Sequence, residues 1–290
     1  MRENENSDRS PEHEKVRVLA KEYLDDVSLE LSDSVISTLF TGSVSDGPAD
    51  RFSDIDIIVV FAESKIEKLG NEMEQFLKPT GAKLLKHSIG YKCKYRWKGR
   101  VFDILIRDYQ TLLNQEWEIH EKWNYDNSEI RYDTDGMMES LLAKKIQLRE
   151  NERQEKIQQL VKQIRWLGQT ESQKWLKRGS VLSAHHAVNE AMKAAVKLLY
   201  LREGKFIPRD KHLFEELNEL QRIQQTDIEQ IKQIVKIEGY SPKDIENRLD
   251  LLESVWELSA KDLADEGIIS DRRAEWRIEL NAPTEERTFY

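Results

Sequence analysis

Cysteine is almost absent from this chain of 290 residues, which contains Cys93 and no other. A single thiol cannot build a disulfide framework within the chain, and it cannot supply a thiolate-rich metal site. Cys93 lies in the polar stretch YKCKYRW, so we interpret it as a structural residue rather than a nucleophile. The scarcity of cysteine therefore directs attention to oxygen and nitrogen ligands for any metal.

Long apolar segments are also missing. The longest apolar run, IDIIVVFA, contains an aspartate and is far shorter than the roughly 20 residues that a membrane-spanning helix needs. The first ten residues, MRENENSDRS, are polar and charged, unlike the apolar core of a secretory signal. We therefore expect a cytoplasmic location and no membrane partner.

An excess of positive charge is missing too, because 45 Lys and Arg face 54 Asp and Glu, for a net charge of −9. Broad binding to DNA or RNA depends on clustered Lys and Arg that contact phosphates. We therefore do not expect nucleic acid to be the partner. A small anionic ligand held through a divalent cation is compatible with this charge.

Residue patterns divide the chain into two kinds of structure. Residues 1–12 are expected to form a disordered polar tail. Residues 13–135 combine an amphipathic helix near 16–27 with four short β-branched or aromatic runs, VISTLF, IDIIVVF, GYKCKYRW and RVFDILIRD. A hairpin turn at Lys98-Gly99 joins the last two runs. This region is predicted to be a small mixed β-sheet with helices on it.

The second half of the chain has a different amino-acid composition. Residues 136–270 contain few turn signals and many Leu, Ile, Lys, Glu and Gln. Helical patterns at 138–167, 184–204 and 244–267 predict an all-helical bundle of about four to six helices, with Gly204 ending one of them. Residues 271–290 are predicted to be a polar tail. The predicted fold class is thus α+β, a small mixed-sheet domain followed by a helical bundle domain.

Two aspartates open the clearest predicted strand. Asp54 and Asp56 are two residues apart, so both side chains point to one face, whereas Ile55 and Ile57 point to the other, into a core. Two close carboxylates repel each other unless a cation or a proton lies between them. Mg²⁺ takes oxygen ligands of this kind together with substrate phosphates. The pair therefore predicts a magnesium site.

Two further features belong with this pair. Gly42 and Ser43 form a tight turn before it, where backbone N–H groups and the Ser43 hydroxyl can hold phosphate oxygens. Asp103 lies among apolar residues in a later strand, where a carboxylate is costly unless it is paired or metal-bound. A strand beside the first would bring Asp103 to the same site. Three carboxylates around two metals are typical of phosphoryl and nucleotidyl transfer.

The order Gly-Ser, about ten residues, Asp-Ile-Asp and a later strand Asp resembles the nucleotidyltransferase superfamily of DNA polymerase β. The helical second half and the segment LLYLREGKFIPRDKHL are similar to the aminoglycoside and lincosamide nucleotidyltransferases. The resemblance implies that the triphosphate contacts Gly42, Ser43 and Lys211. It further implies that Asp54 and Asp56 bind metal, and that Asp103 is the third metal ligand or the general base.

The same resemblance implies an activity. A nucleoside monophosphate, AMP from ATP in the simplest case, would move with the help of Mg²⁺ onto a hydroxyl of a small-molecule acceptor such as an aminoglycoside-like antibiotic. Two alternatives stay open: modification of a protein in a toxin–antitoxin-type system, and a noncatalytic nucleotide-binding regulatory module. The motif leaves the nucleotide, the acceptor and the oligomeric state undefined.

A second motif, formed by an arginine and a histidine, suggests a different activity. Arg178 and His185 are separated by six residues, as in the ribonuclease motif of HEPN helical domains. However, Gly179 occupies a position where a polar residue is usual, and no basic cluster supports RNA binding. We therefore interpret His185 as an ordinary histidine on a helix surface or in a substrate cleft.

Overall fold

In the computed structural model, structure is described for residues 11–31, 35–45, 49–62, 83–87 and 90–269. The chain separates into two compact units, Met1–Gln147 and Leu148–Tyr290. The predicted C-terminal tail lies outside the described residues, as does the predicted N-terminal tail up to residue 10. The helix α1 (Pro11–Leu31) includes the last two residues of that predicted tail, and proline is well suited to the first position of a helix.

The first unit is built on a mixed sheet. Among the described residues it has six strands in the order β3–β4–β5–β2–β1–β6. β2 and β5 are parallel, and the other neighbouring strands are antiparallel. The strands are β1 (Val35–Thr41), β2 (Ile55–Phe61), β3 (Leu84–His87), β4 (Gly90–Trp97), β5 (Arg100–Asp108) and β6 (Glu129–Asp133). This architecture confirms the predicted mixed sheet.

Each face of the sheet carries its own core. On one face, residues of α1 pack against alternate residues of the strands, among them Val16, Tyr23, Ile57 and Phe102. On the other face, Leu39, Ile58 and Val60 pack against three helices, α2 (Tyr109–Asn114), α3 (Ile119–Asp126) and α4 (Met137–Lys145). A side chain on β2 or β5 therefore belongs to one core or the other according to its parity.

The predicted hairpin between β4 and β5 is confirmed. Lys98 and Gly99 form its turn, with φ values of 47° and 83°. Two consecutive residues with positive φ match the twist of an antiparallel hairpin. The turn sets the register that pairs Lys94 with Asp103 further along the strands.

The first compact unit extends to Gln147 and so includes α4. The helix α4 packs against the sheet, because Met138 and Leu141 are fully buried in its second core. The chain leaves the helical conformation at Ile146, whose ψ is 73°, and stays extended at Arg149, whose ψ is 142°. The helical pattern predicted over 138–167 is thus broken here, because apolar periodicity does not record a short change of backbone direction.

The second unit is helical. Its α-helices in the described residues are α5 (Glu150–Arg165), α6 (Ser172–Lys177), α7 (Val181–Arg202), α8 (Gln225–Val235) and α9 (Pro242–Asp265). A π-helical segment, Trp166–Glu171, joins α5 to α6. The helix α7 contacts the other four helices. Gly204, with φ of 69°, follows the end of α7 as predicted.

Membrane-spanning helices are not found within the ranges that the structure describes. Each helix there is too short or too polar to cross a bilayer.

Candidate active site

The parallel pairing of β2 and β5 brings two of the predicted carboxylates together. Asp56 and Asp103 are direct partners in the register of these strands. Neighbouring strands lie about 4.8 Å apart, so the two side chains rise side by side from one face of the sheet. Their neighbours Ile57 and Ile104 point into the α1 core on the opposite face. The parity expected from the sequence is therefore observed for both aspartates.

Gly42 lies directly against one of these carboxylates. The strand β1 ends at Thr41, the register partner of Asp56, and the chain then enters a short 3₁₀ turn, Gly42–Val44. Gly42 has φ of +59°, which side chains rarely tolerate. A Cβ atom at this position would also lie 2.9 Å from Asp56 Oδ2. Glycine is thus required here both for the backbone conformation and for the space beside Asp56.

Contacts from distant segments hold this turn. Ser45 is buried, and its Oγ lies 2.9 Å from the Gly42 carbonyl oxygen and 2.6 Å from that of Asn127. Arg17 on α1 donates to the Val44 carbonyl oxygen over 3.1 Å. Sequence reasoning did not find Ser45 or Arg17 as supports of the turn, because the contacts of Ser45 with Asn127 and of Arg17 with Val44 join residues 82 and 27 positions apart.

Asp54 lies just before β2 and is more exposed than Asp103. Its side chain is 36% exposed, against 12% for Asp103. The Ser43 hydroxyl donates to the Asp54 carbonyl oxygen over a long 3.4 Å, so the Gly-Ser turn also contacts this end of β2. Gly42, Ser43, Asp54, Asp56 and Asp103 therefore occupy one region of the first unit.

Two lysines on β4 face the carboxylates. Lys92 Nζ lies 2.8 Å from Asp103 Oδ2. Lys94 Nζ lies 2.6 Å from Asp54 Oδ2 and 3.9 Å from Asp103 Oδ2. The hydrogen bond to Asp54, together with the charges of the nearby aspartates, raises the pKa of Lys94 above its ordinary value. Sequence reasoning missed both lysines, although their alternation with Cys93 and Tyr95 was the available signal.

Cys93 points away from these lysines into the α1 core. Burial, with a contribution from the charge of Asp103, raises the pKa of its thiol to about 12. The thiol therefore stays protonated at neutral pH, which agrees with the structural role expected from the sequence.

The residues at this site fit a divalent cation. Asp103 Oδ1 is buried and has no hydrogen-bond partner among the described residues. A desolvated carboxylate oxygen is costly unless a donor or a cation satisfies it. No three His, Cys, Asp or Glu side chains within the described ranges enclose a metal ion by themselves. Mg²⁺ in nucleotide sites uses one or two carboxylates together with phosphate oxygens, so the Asp56–Asp103 pair suffices in number.

The sixth predicted site residue belongs to the second unit. Lys211 is exposed and lies in a turn between α7 and a 3₁₀ helix, Glu215–Glu219. Its contact with a phosphate stays a prediction.

His185 on α7 is not the surface or cleft histidine that we expected. It is buried, and Arg248 on α9 donates to its Nδ1 over 2.7 Å. Because Nδ1 accepts, the proton of the neutral ring is on Nε2, which lies 3.1 Å from the Gly239 carbonyl oxygen. Both ring nitrogens are therefore used in packing the bundle, and this argues against a ribonuclease role.

Comparison with known proteins gives a family match. A family model described as "Nucleotidyltransferase domain" matches residues 20–172, more than half of the chain. The match includes all five site residues of the first unit. Comparison with curated proteins gives no significant match.

Several solved structures are similar to this chain at low identity. A nucleotidyltransferase-like protein from Exiguobacterium sibiricum is 15% identical, with a TM-score of 0.42, over 88% of this chain and 79% of that one. An aminoglycoside 6-adenyltransferase from Bacillus subtilis is 14% identical, with a TM-score of 0.34, over 89% and 98%. A spectinomycin adenyltransferase from Enterococcus faecialis, solved with ATP and spectinomycin, is 13% identical, with a TM-score of 0.36, over 82% and 98%. These values are too low to transfer a substrate.

Proposed function

The chain belongs to the nucleotidyltransferase domain family, and from that premise we propose that it is an adenylyltransferase that moves AMP from ATP onto a hydroxyl of a small-molecule acceptor. The observation that carries the proposal is the register pairing of Asp56 with Asp103, directly beside the Gly42 turn. Two carboxylates placed side by side repel each other unless a cation or a proton lies between them, and one oxygen of Asp103 is buried without a partner among the described residues.

Each residue of the site has a role in this proposal. The Gly42-Ser43 turn holds phosphate oxygens through backbone N–H groups and the Ser43 hydroxyl. The long 3.4 Å contact of that hydroxyl with the Asp54 carbonyl can be exchanged for a phosphate at small cost. Asp54, Asp56 and Asp103 are the residues that would hold Mg²⁺ together with phosphate oxygens, and the ion would neutralise phosphate charge and help to activate the attacking oxygen.

The transfer itself is an in-line substitution at the α-phosphorus. The acceptor hydroxyl loses its proton, and its oxygen forms a bond to the α-phosphorus while the bond from that phosphorus to the bridging oxygen of pyrophosphate breaks. The resemblance assigns Asp103 either to the metal or to the acceptance of this proton. Positioning and charge stabilisation supply most of the rate enhancement in such reactions.

The acceptor class follows from the resemblance to the aminoglycoside and lincosamide enzymes, and a net charge of −9 suits a cationic, hydroxyl-rich molecule. Lys211 is assigned to the triphosphate by the same resemblance. Transfer of AMP to a small molecule does not require a basic surface of the kind that binds nucleic acid.

A second candidate function, nucleotide binding without transfer, is favoured by one observation. Lys92 and Lys94 already neutralise part of the carboxylate charge, as they would in a site that has no need of a metal. Such a module would bind ATP but would release no pyrophosphate.

Product analysis separates the two functions. The protein is incubated with Mg²⁺, labelled ATP and a panel of aminoglycosides and lincosamides, and pyrophosphate and product masses are followed. We expect a mass gain of one AMP on a panel member and its loss in Asp56→Asn. ATP binding without pyrophosphate release across the panel, or equal turnover by Asp56→Asn, would contradict the proposed transfer.

A further inference from the structure

Lys94 connects two of the three carboxylates. Its Nζ lies 2.6 Å from Asp54 Oδ2 and 3.9 Å from Asp103 Oδ2. Asp54 lies just before β2, whereas Asp103 is on β5, where it is the register partner of Lys94 on β4. One ammonium group thus acts as a counter-ion to two carboxylates that the proposed function assigns to a divalent cation.

An ammonium group and a divalent cation compete for the charge of the same two carboxylates. Mg²⁺ requires oxygen distances of about 2.0–2.1 Å, which are shorter than a hydrogen bond to nitrogen. The two cations also repel each other strongly at a separation of a few ångströms. A divalent cation bound to Asp54 and Asp103 would therefore weaken their present contacts with Lys94.

The lysine is able to leave, whereas the carboxylates are held in place. The Lys94 side chain is 52% exposed and has a flexible four-carbon stem, whereas the Asp103 side chain is 12% exposed and is part of a central strand. An ammonium group displaced from Asp54 would need another anionic partner close to the carboxylates. The triphosphate is such an anion.

We propose that Lys94 is a positioning residue that competes with the divalent cation for Asp54 and Asp103, and that moves to the triphosphate when metal and nucleotide bind together. This inference rests on the proposed function. It makes metal binding weak without nucleotide and couples it to nucleotide binding, because the nucleotide supplies a new partner for the displaced ammonium group.

Lys92 allows the effect of one ion pair on metal affinity to be compared with that of Lys94. It contacts Asp103 at 2.8 Å, and no contact of Lys92 with Asp54 is found among the described ion pairs. Removal of Lys92 is therefore expected to strengthen metal binding less than removal of Lys94.

The test measures Mn²⁺ binding without nucleotide, from the electron paramagnetic resonance signal of unbound Mn²⁺. Wild type is compared with Lys94→Met, Lys94→Arg and the control Lys98→Met, which loses the same charge from the same hairpin but pairs with Glu22 at 2.8 Å. We expect Lys94→Met to bind Mn²⁺ about two- to fivefold more tightly, within the range that one exposed ion pair can supply. Lys94→Arg and Lys98→Met should resemble wild type.

Calorimetric titration of ATP in the presence of Mn²⁺ tests the proposed movement of Lys94 to the triphosphate. We expect Lys94→Met to bind ATP several-fold more weakly than Lys98→Met does. Equal Mn²⁺ affinity of Lys94→Met and wild type would overturn the competition, and unchanged ATP affinity would overturn the transfer to the triphosphate. If no variant and no wild-type protein bound Mn²⁺ even with ATP present, the proposed metal-dependent function itself would be wrong. Thermal unfolding of each variant confirms that the fold is intact.

Discussion

The two compact units differ in how their buried and partly buried charged side chains are paired. In the first, three carboxylates gather at one end of the sheet beside half-exposed lysines, and Asp103 keeps a buried oxygen without a partner among the described residues. In the second, three buried arginines, Arg153, Arg202 and Arg248, donate to backbone carbonyl oxygens of Leu201, Leu258 and Ile234. These three arginines contribute to the packing of the helices, whereas the three carboxylates of the first unit lie close enough to repel one another.

This difference indicates which charged residues contribute to function and which contribute to stability. Clustered carboxylates lower the stability of a fold unless a ligand offsets their repulsion, and such departures from good local design are concentrated at functional sites. Buried arginines that satisfy carbonyl groups contribute to a defined packing of the helices. Substitutions in the first set should therefore change activity, and substitutions in the second should change stability.

The largest expected effect is that of Asp103→Asn. The substitution removes a charge that stabilises the transition state by several kcal/mol, so we expect AMP transfer to fall by a factor of about 1000 or more. The free energy of unfolding should change by less than about 1 kcal/mol, because the ion pairs that are lost are partly exposed. Pyrophosphate release and denaturant unfolding measure the two quantities. A large loss of stability would remove the distinction between the units.

Arg248→Met addresses the second unit. Arg248 is buried and donates to His185, to Asn189 and to the Ile234 carbonyl oxygen. Its removal leaves these acceptors without their donor, and we expect the free energy of unfolding to fall by about 2–4 kcal/mol. Arg222→Met, at an exposed arginine paired with Asp262, is the matched control and should cost less than about 1 kcal/mol. Equal losses in urea unfolding would contradict a special role for burial.

Gly42→Ala tests the close approach of the turn to Asp56. Left-handed backbone costs alanine about 1–2 kcal/mol, and the new Cβ would also press on the Asp56 carboxylate. Gly136→Ala is matched to it, because Gly136 has φ of +66° in the same unit but has no atom within 4 Å of the added Cβ. Both variants should lose stability, and only Gly42→Ala should lose transfer activity. Loss of activity in both would indicate a general effect of strain.

The smallest expected effect is a pH dependence of the second unit. Burial, followed by the charge of Arg248, lowers the pKa of His185. The unfolded chain then binds the proton more readily than the folded one, so stability is complete above about pH 6.5 and declines as the pH falls below that value. Unfolding of His185→Gln between pH 8 and pH 5 should show a shallower decline than wild type. His186→Gln, at the exposed neighbouring position, is the control for removal of an imidazole, and a decline as shallow as that of His185→Gln would refute the assignment.

Local patterns predicted the central strands well and the short elements poorly. β2 and β5 have long β-branched runs with a carboxylate at a fixed parity, and both appear at the predicted residues. The strand β6 and the helices α2 and α3 have five to eight residues each, too few for a periodic signal. They form because β6 pairs with the edge of β1 and the helices cover one face of the sheet.

The candidate site was predictable to a similar extent. Asp54, Asp56 and Asp103 were predicted from strand parity, and Gly42 and Ser43 from their distance along the chain to Asp54; the structure brings the five residues into one region, and their roles stay predictions. Supports such as Ser45, and counter-ions such as Lys94, were not found. Their contacts cross 82 residues in one case and 40 in the other, and no local spacing encodes such a contact.

The sequence by itself determined that Asp54 and Asp56 share a direction and that the second half is helical, because strand and helix periodicities are properties of the local backbone. Only the tertiary structure decided that β5 lies parallel beside β2, that Gly42 packs against Asp56, and that the β4 lysines meet the carboxylates. These features depend on which strands pair and in which register. That choice is made by the burial of two whole sheet faces rather than by any single segment.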